Sequence, residues 1–153
     1  MTELNDVLRN ASEDVQRLNA DKLRAVRSVT GQPTTMLILI PDYTCPTMNQ
    51  LYEQKHWSGR KKMADAVHYL VRIYAPSLPE PLQGPVRIEI VAYRKRLIDA
   101  DNIPAKLLID GLRLAGVLCD DSKKYVDSVT TRCEQGEPRV EIVIRGIEAQ
   151  HDN

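Results

Sequence analysis

Paired cysteines are missing from this chain. Its three cysteines, Cys45, Cys119 and Cys133, are an odd number with no Cys-x-x-Cys spacing, which argues against a disulfide framework or a zinc site and fits a reducing, cytoplasmic setting. Long hydrophobic runs are missing too. No apolar stretch approaches the roughly 18 residues of a membrane span, and the first residues mix acids with bases, so the sequence predicts neither a membrane helix nor a secretory signal. Net charge is also absent: 21 Lys and Arg balance 21 Asp and Glu, with a pI near 6.8. A nucleic-acid partner is therefore not announced by the total. Phosphate contacts need only local clusters, however, and two are visible: Lys55, Arg60, Lys61 and Lys62 in one segment, and Arg94, Lys95 and Arg96 in another. The ordinary alternative for residues 60–62 is the solvated face of a helix start. Trp57, next to His56, suits stacking on a splayed base, although an isolated tryptophan is more often a core anchor. No internal repeat or low-complexity tract is present.

The 153 residues suffice for one substantial core with an appendage. Over residues 3–29, Leu4, Leu8, Ala11, Val15 and Leu18 recur at helical spacing. They predict an amphipathic helix that packs on its own domain or pairs with a partner. Residues 36–40 read as a buried strand and 41–54 as a long loop. A helix is expected over 58–74, with Met63, Ala66, Val67, Leu70 and Ile73 inward, followed by a proline-rich linker at 76–81. Residues 86–93 alternate and are rich in β-branched side chains, as a strand requires. Residues 125–131 and 139–145 alternate as well and, separated by Glu134-Gln135-Gly136-Glu137-Pro138, look like a terminal hairpin. The expected fold is α+β, a mixed sheet covered by helices. The expected division is a helical extension over 1–32, a domain over 33–147 and a tail over 148–153.

The densest chemistry lies after the 86–93 strand. Asp99-Ala100-Asp101-Asn102 is followed by Lys106, Asp110 and Asp120-Asp121. If the chain stays extended, Asp99 and Asp101 point to one side. Asp101 or Asn102 then caps a helix over 103–115 that tolerates Pro104 in its first turn and stops at Gly116. Lys106 and Asp110 share one face of that helix, while Leu108, Leu112 and Ala115 form its apolar stripe. The Asp120-Asp121 corner is expected to bring a third carboxylate beside the first two. Because two adjacent residues of an extended turn point apart, only one of them is expected to face the site. Clustered carboxylates repel one another unless a cation neutralises them. Hard oxygen ligands favour magnesium, with manganese as the alternative ion. The competing explanation is that aspartates in turns commonly do no more than cap helices, and Asp110 is assigned to such a solvated or supporting role.

Together, Asp99-x-Asp101-Asn102, Lys106, Asp110-Gly111-Leu112 and Asp120-Asp121-Ser122 resemble the core of RusA-type Holliday junction resolvases. Upstream, Pro46-Thr47-Met48-Asn49-Gln50-Leu51-Tyr52 resembles the Pro-x-x-Asn segment with a following tyrosine near that family's start. The likeness covers residues 36–145. It implies metal ligation by Asp99, Asp101 and Asp121, with Asp120 as the neighbouring candidate, and a catalytic lysine at Lys106. It also implies a homodimer that cuts four-way DNA junctions, in recombination or repair and on a nucleoid or phage genome. Asn102 and the two basic clusters would contact DNA. The family spaces its lysine as Asn-x-x-Lys, whereas this chain has one residue more, and Lys123-Lys124 stand where the family more often carries a glutamine. Two other functions remain open: a nuclease for flaps, forks or other branches on the same scaffold, and a module that binds branched DNA without cutting it.

Overall fold

Alternation along β1 (Thr35–Pro41) places Met36, Ile38 and Ile40 in the interior and leaves the residues between them half-buried or exposed. The same period-two pattern buries Ile88, Ile90 and Ala92 of β2 (Val86–Arg94) and Val140, Ile142 and Ile144 of β4 (Arg139–Gly146). Register joins these sets across three strands: Ile142 lies opposite both Ile38 and Ile90, and Ile144 opposite both Met36 and Ile88. One face of the sheet is therefore continuously apolar. Each such Val, Ile or Met side chain contributes about 1.5–3 kcal/mol when fully removed from water. The computed structural model describes residues 35–147. The expected N-terminal helix with its Leu4, Leu8, Ala11, Val15 and Leu18 stripe, and the expected tail, lie outside the described residues.

The four described strands run in the order β1-β4-β2-β3, with β3 spanning Val126–Gln135. β4 is antiparallel to both β1 and β2, whereas β2 and β3 are parallel, so the sheet is mixed as expected. The terminal hairpin is corrected. β3 and β4 do not pair, because β2 lies between them, and the short connection passes over its end with Gly136 N–H bonded to the Arg94 carbonyl (3.0 Å). Turn-like residues between two alternating runs report a reversal of direction, not which strand becomes the neighbour.

Among the described residues three α-helices accompany the sheet: α1 (Met48–Glu53), α2 (Trp57–Tyr74) and α3 (Ala105–Leu114). The loop expected over 41–54 thus contains a helix. Its signal was a capping box: Thr47 Oγ1 accepts from Gln50 N–H (3.0 Å), and Gln50 Oε1 accepts from Thr47 N–H (2.9 Å). α2 turns Val67, Val71 and Tyr74 inward, with Leu70 and Ile73 partly buried against the core. Ala66, expected inward, is exposed. α3 starts two residues later than expected, and neither Asp101 nor Asn102 caps it. Pro104 holds the cap position without a side-chain bond. Its end follows expectation. Gly116 adopts a φ of 77°, its N–H bonds to the Arg113 carbonyl (3.1 Å), and Val117 N–H bonds to the Leu112 carbonyl (3.0 Å), a paired closure that leaves few carbonyls unanswered.

α2 and α3 meet where side chains are smallest. A Cβ on Gly111 would lie 3.0 Å from both Val71 Cβ and Cγ2, and Val71 is fully buried. Overpacking of this kind costs about 1–3 kcal/mol. Gly111→Val is accordingly expected to lower stability in urea unfolding by that amount, with Val71→Ala in the same chain restoring part of it. An unchanged midpoint would contradict the close approach.

Candidate functional site

β2 delivers the chain to an acidic turn. After Arg94 the backbone leaves the sheet, and Ala100–Asn102 wind into a single 3-10 turn with Asp99 at its N-cap position. Asn102 N–H bonds to the Asp99 carbonyl (3.0 Å). Two ties hold this turn in place. Thr131 Oγ1 of the edge strand β3 donates to the Ala100 carbonyl (2.8 Å), and Asn49 N–H at the start of α1 donates to Asn102 Oδ1 (3.0 Å). The extended pair expected at Asp99 and Asp101 is thus replaced by a turn. The two carboxylates nevertheless line one open cleft of about 350 Å³ together with Met48, Asn49, Tyr52 and Asn102.

Ile103 and Pro104 link the turn to α3. Lys106 sits in the first turn of α3 and is gripped from two sides. Its Nζ bonds to Asp110 Oδ1 (2.9 Å) and to Asp121 Oδ2. Asp110 is therefore a direct partner of the lysine, as its helical spacing implied. Asp121 is held by the lysine and is not among the residues lining the Asp99–Asp101 cleft. The expected convergence of three carboxylates is not seen: among the described residues no three His, Cys, Asp or Glu side chains form a metal-holding group. Two acidic sets stand in its place, Asp99 with Asp101, and Asp110 with Asp121 around Lys106. Asp120, half-buried, directly precedes Asp121 in the chain.

Electrostatics follow from these contacts. The hydrogen bond to Asp121, then that to Asp110, raises the Lys106 pKa above the ordinary lysine value. The hydrogen bond and charge of Lys106 lower that of Asp121. The lysine thus keeps its charge until the pH has risen past the ordinary lysine range. Any stability the pair adds through Asp121 is present above the ordinary carboxylate range and is lost as pH falls through the lowered value. Both groups are exposed, so that contribution is small. Lys106→Met is expected to raise the Asp121 titration back towards the ordinary aspartate value, measured by carboxyl-carbon NMR. An Asp121 titration unmoved by the substitution would show that the ion pair does not persist in solution.

The donor set of the cleft suits a hard divalent cation. Magnesium is characteristically held by one or two carboxylates and otherwise by water and substrate phosphate oxygens. Asp99 and Asp101 supply two exposed carboxylates, and the openness of the cleft leaves room for the rest. Manganese takes the same ligands.

The basic residues separate into free and engaged. Arg94 Nη1 donates to the Cys45 carbonyl, so this side chain ties β2 to the 41–47 segment. Lys61 pairs with Asp65 (2.6 Å). Lys55, Arg60, Lys62, Lys95 and Arg96 are exposed and form no ion pair among the described residues. Of the cysteines, Cys45 is a core residue whose thiol burial pushes up to about 12, so it stays protonated.

Sequence reasoning missed Asn49 as a structural partner of Asn102, although it had marked both residues. Their bond spans 53 positions, a separation that no local pattern reports. No protein-family model matches this chain, and no curated protein matches it. Among the described residues no helix is long and apolar enough to cross a membrane.

Proposed function

We propose that this protein is a magnesium-dependent endodeoxyribonuclease of the RusA type that resolves four-way DNA junctions by phosphodiester hydrolysis. One observation carries the reading. The two stretches that resemble the family, Pro46 to Tyr52 and Asp99 to Asn102, lie far apart in sequence and meet at a single cleft, joined by the Asn49–Asn102 hydrogen bond.

Hydrolysis requires an activated water, neutralisation of the charge that grows on the phosphoryl oxygens, and help for the departing 3′ oxygen. A divalent ion bound at Asp99 and Asp101 supplies Lewis acidity for these tasks. The chain's own residues do the rest. Asp99 and Asp101 provide the negative potential that recruits the ion, and Asn102, anchored through its carboxamide oxygen, keeps the turn in register with α1. Lys106 has three donors, of which Asp110 and Asp121 take two. The third is left for a phosphate oxygen, and the raised pKa keeps the lysine positive throughout. Asp121 acts by positioning the lysine. Lys95, Arg96, Lys55, Arg60 and Lys62 hold the flanking phosphates. Two symmetric nicks in one junction require two copies related by a two-fold axis, the commonest closed assembly.

The test is cleavage of a labelled mobile four-way junction beside linear duplex, flap and fork substrates, with magnesium or with EDTA. Paired symmetric nicks in the junction that vanish in EDTA are expected. Metal-dependent cutting confined to flaps or forks would replace the substrate and keep the chemistry. Tight binding without any cutting would instead make the protein a branched-DNA-binding module.

A further inference from the structure

Large aromatic rings are ordinarily taken out of water, yet two of them stand exposed at the corner between α1 and α2. Tyr52 is 71% exposed and forms part of the cleft wall, and Trp57, 70% exposed, opens α2 five positions later. Neither ring joins the core cluster, so the core does not require them. Around Trp57 the charge is mainly positive, whereas Tyr52 adjoins Glu53 and faces the carboxylates of Asp99 and Asp101 across the cleft. Lys55, Arg60 and Lys62 are exposed without ion pairs among the described residues, and the first turn of α2 contains no acid. An apolar protein partner fits this combination poorly, since the centres of protein interfaces are depleted of charge, lysine above all. Flat rings interleaved with unneutralised cations suit nucleotides, whose bases stack while their phosphates are attracted.

Resting on the nuclease reading above, we propose that Tyr52 and Trp57 form a base-stacking platform for unpaired nucleotides of the strand whose phosphate enters the Asp99–Asp101 cleft. The platform selects DNA with unstacked bases at the cut over closed duplex. The reason is geometric. Inside a duplex each base face is covered by its neighbours, and exposing one costs unpairing and unstacking energy, whereas a branch point or single strand offers the face already free. The rings therefore discriminate by access, without reading base identity.

Trp57 is the chain's single tryptophan, so tryptophan fluorescence of the full chain reports this ring alone. The experiment titrates the protein in EDTA, where no strand is cut, with a short oligothymidylate, an abasic strand of the same length and a closed duplex. The single strand is expected to quench the emission strongly, and the abasic strand and the duplex, at matched phosphate concentration, to leave it nearly unchanged. Trp57→Ala and Tyr52→Ala are each expected to weaken single-strand binding about 5- to 100-fold. Both sites are exposed, so the fold, followed by circular dichroism, should be unaffected. Equal quenching by the duplex or the abasic strand, or wild-type affinity in both alanine variants, would overturn the platform. Quenching without magnesium-dependent cutting would uphold the platform and sink the nuclease reading. Cutting without quenching would do the reverse.

Discussion

On the proposed nuclease reading, Asp99→Asn is expected to lower magnesium-dependent junction cleavage by about 10²–10³-fold or more, the scale seen when one element of transition-state charge stabilisation is removed. The substitution is nearly isosteric and deletes one of the two negative charges lining the cleft. An amide oxygen still reaches the same position, but the electrostatic attraction for a divalent ion is roughly halved. Stability should hardly change. Asp99 is exposed and, although it occupies the N-cap position of the 3-10 turn, its side chain makes no capping bond. Exposed substitutions of this kind stay within about 0.5 kcal/mol. In the absence of metal, relief of repulsion from Asp101 adds a small gain. The same variant separates binding from chemistry. Magnesium or manganese should raise the melting temperature of the parent protein, as a ligand of the native state must, and raise that of Asp99→Asn less. Cleavage at the parental rate, with an unaltered metal response, would remove Asp99 from the site.

The second large effect is on the scaffold. Leu108→Ala is expected to destabilise the protein by about 2–5 kcal/mol, the cost of a cavity that its surroundings fill only in part. Leu108 is fully buried in the core cluster, on the α3 stripe it shares with Leu112. That loss is a large fraction of the roughly 5–15 kcal/mol that holds a typical domain folded. Denaturant unfolding should show a lower midpoint at an unchanged slope. Leu114 of the same helix provides the control: it is 59% exposed, and its truncation to alanine should cost no more than about 0.5 kcal/mol. Equal effects at the two positions would mean that α3 does not bury the face described. The functional consequence comes from geometry. Lys106 and Asp110 flank Leu108 on the same helix, so loosening the helix loosens the lysine's grip on Asp121, and residual activity should fall faster with temperature than in the parent.

Alternation and helical spacing made β1, β2, β4 and the apolar stripe of α3 legible, because burial on one face writes a period of two or 3.6 directly into the chain. The inward face of α2 was legible only in part, since its spacing marked Val67 as inward but not the buried Val71 and Tyr74. The Gly116 stop was legible for an equally local reason, since the left-handed backbone conformation there favours glycine. α1 was missed although its capping box was present. A helix of 6 residues is too short to display an apolar stripe, and only its cap distinguishes it from a loop.

The candidate site was legible as a set of residues and illegible as an arrangement. Asp99, Asp101, Asn102, Lys106 and Asp110 stood out by type and spacing, and the Lys106–Asp110 bond follows from helical geometry alone. That Asp121 would bind the lysine and not complete a trio with Asp99 and Asp101 depended on how the segment after α3 folds back. That Asn49 would meet Asn102 depended on α1 docking beside the turn. Both are non-local contacts, set by packing among elements that carry no record of one another in sequence. The sheet order has the same origin. Chain reversal between β3 and β4 is a local property, whereas the insertion of β2 between them arises because the apolar faces of β1, β4 and β2 must align into one surface beneath α2 and α3. The sequence by itself thus determined the elements, their buried faces and the chemical types at the candidate site. Tertiary structure alone decided which strands became neighbours and which carboxylates met, because those choices are made by long-range burial once the local pieces exist.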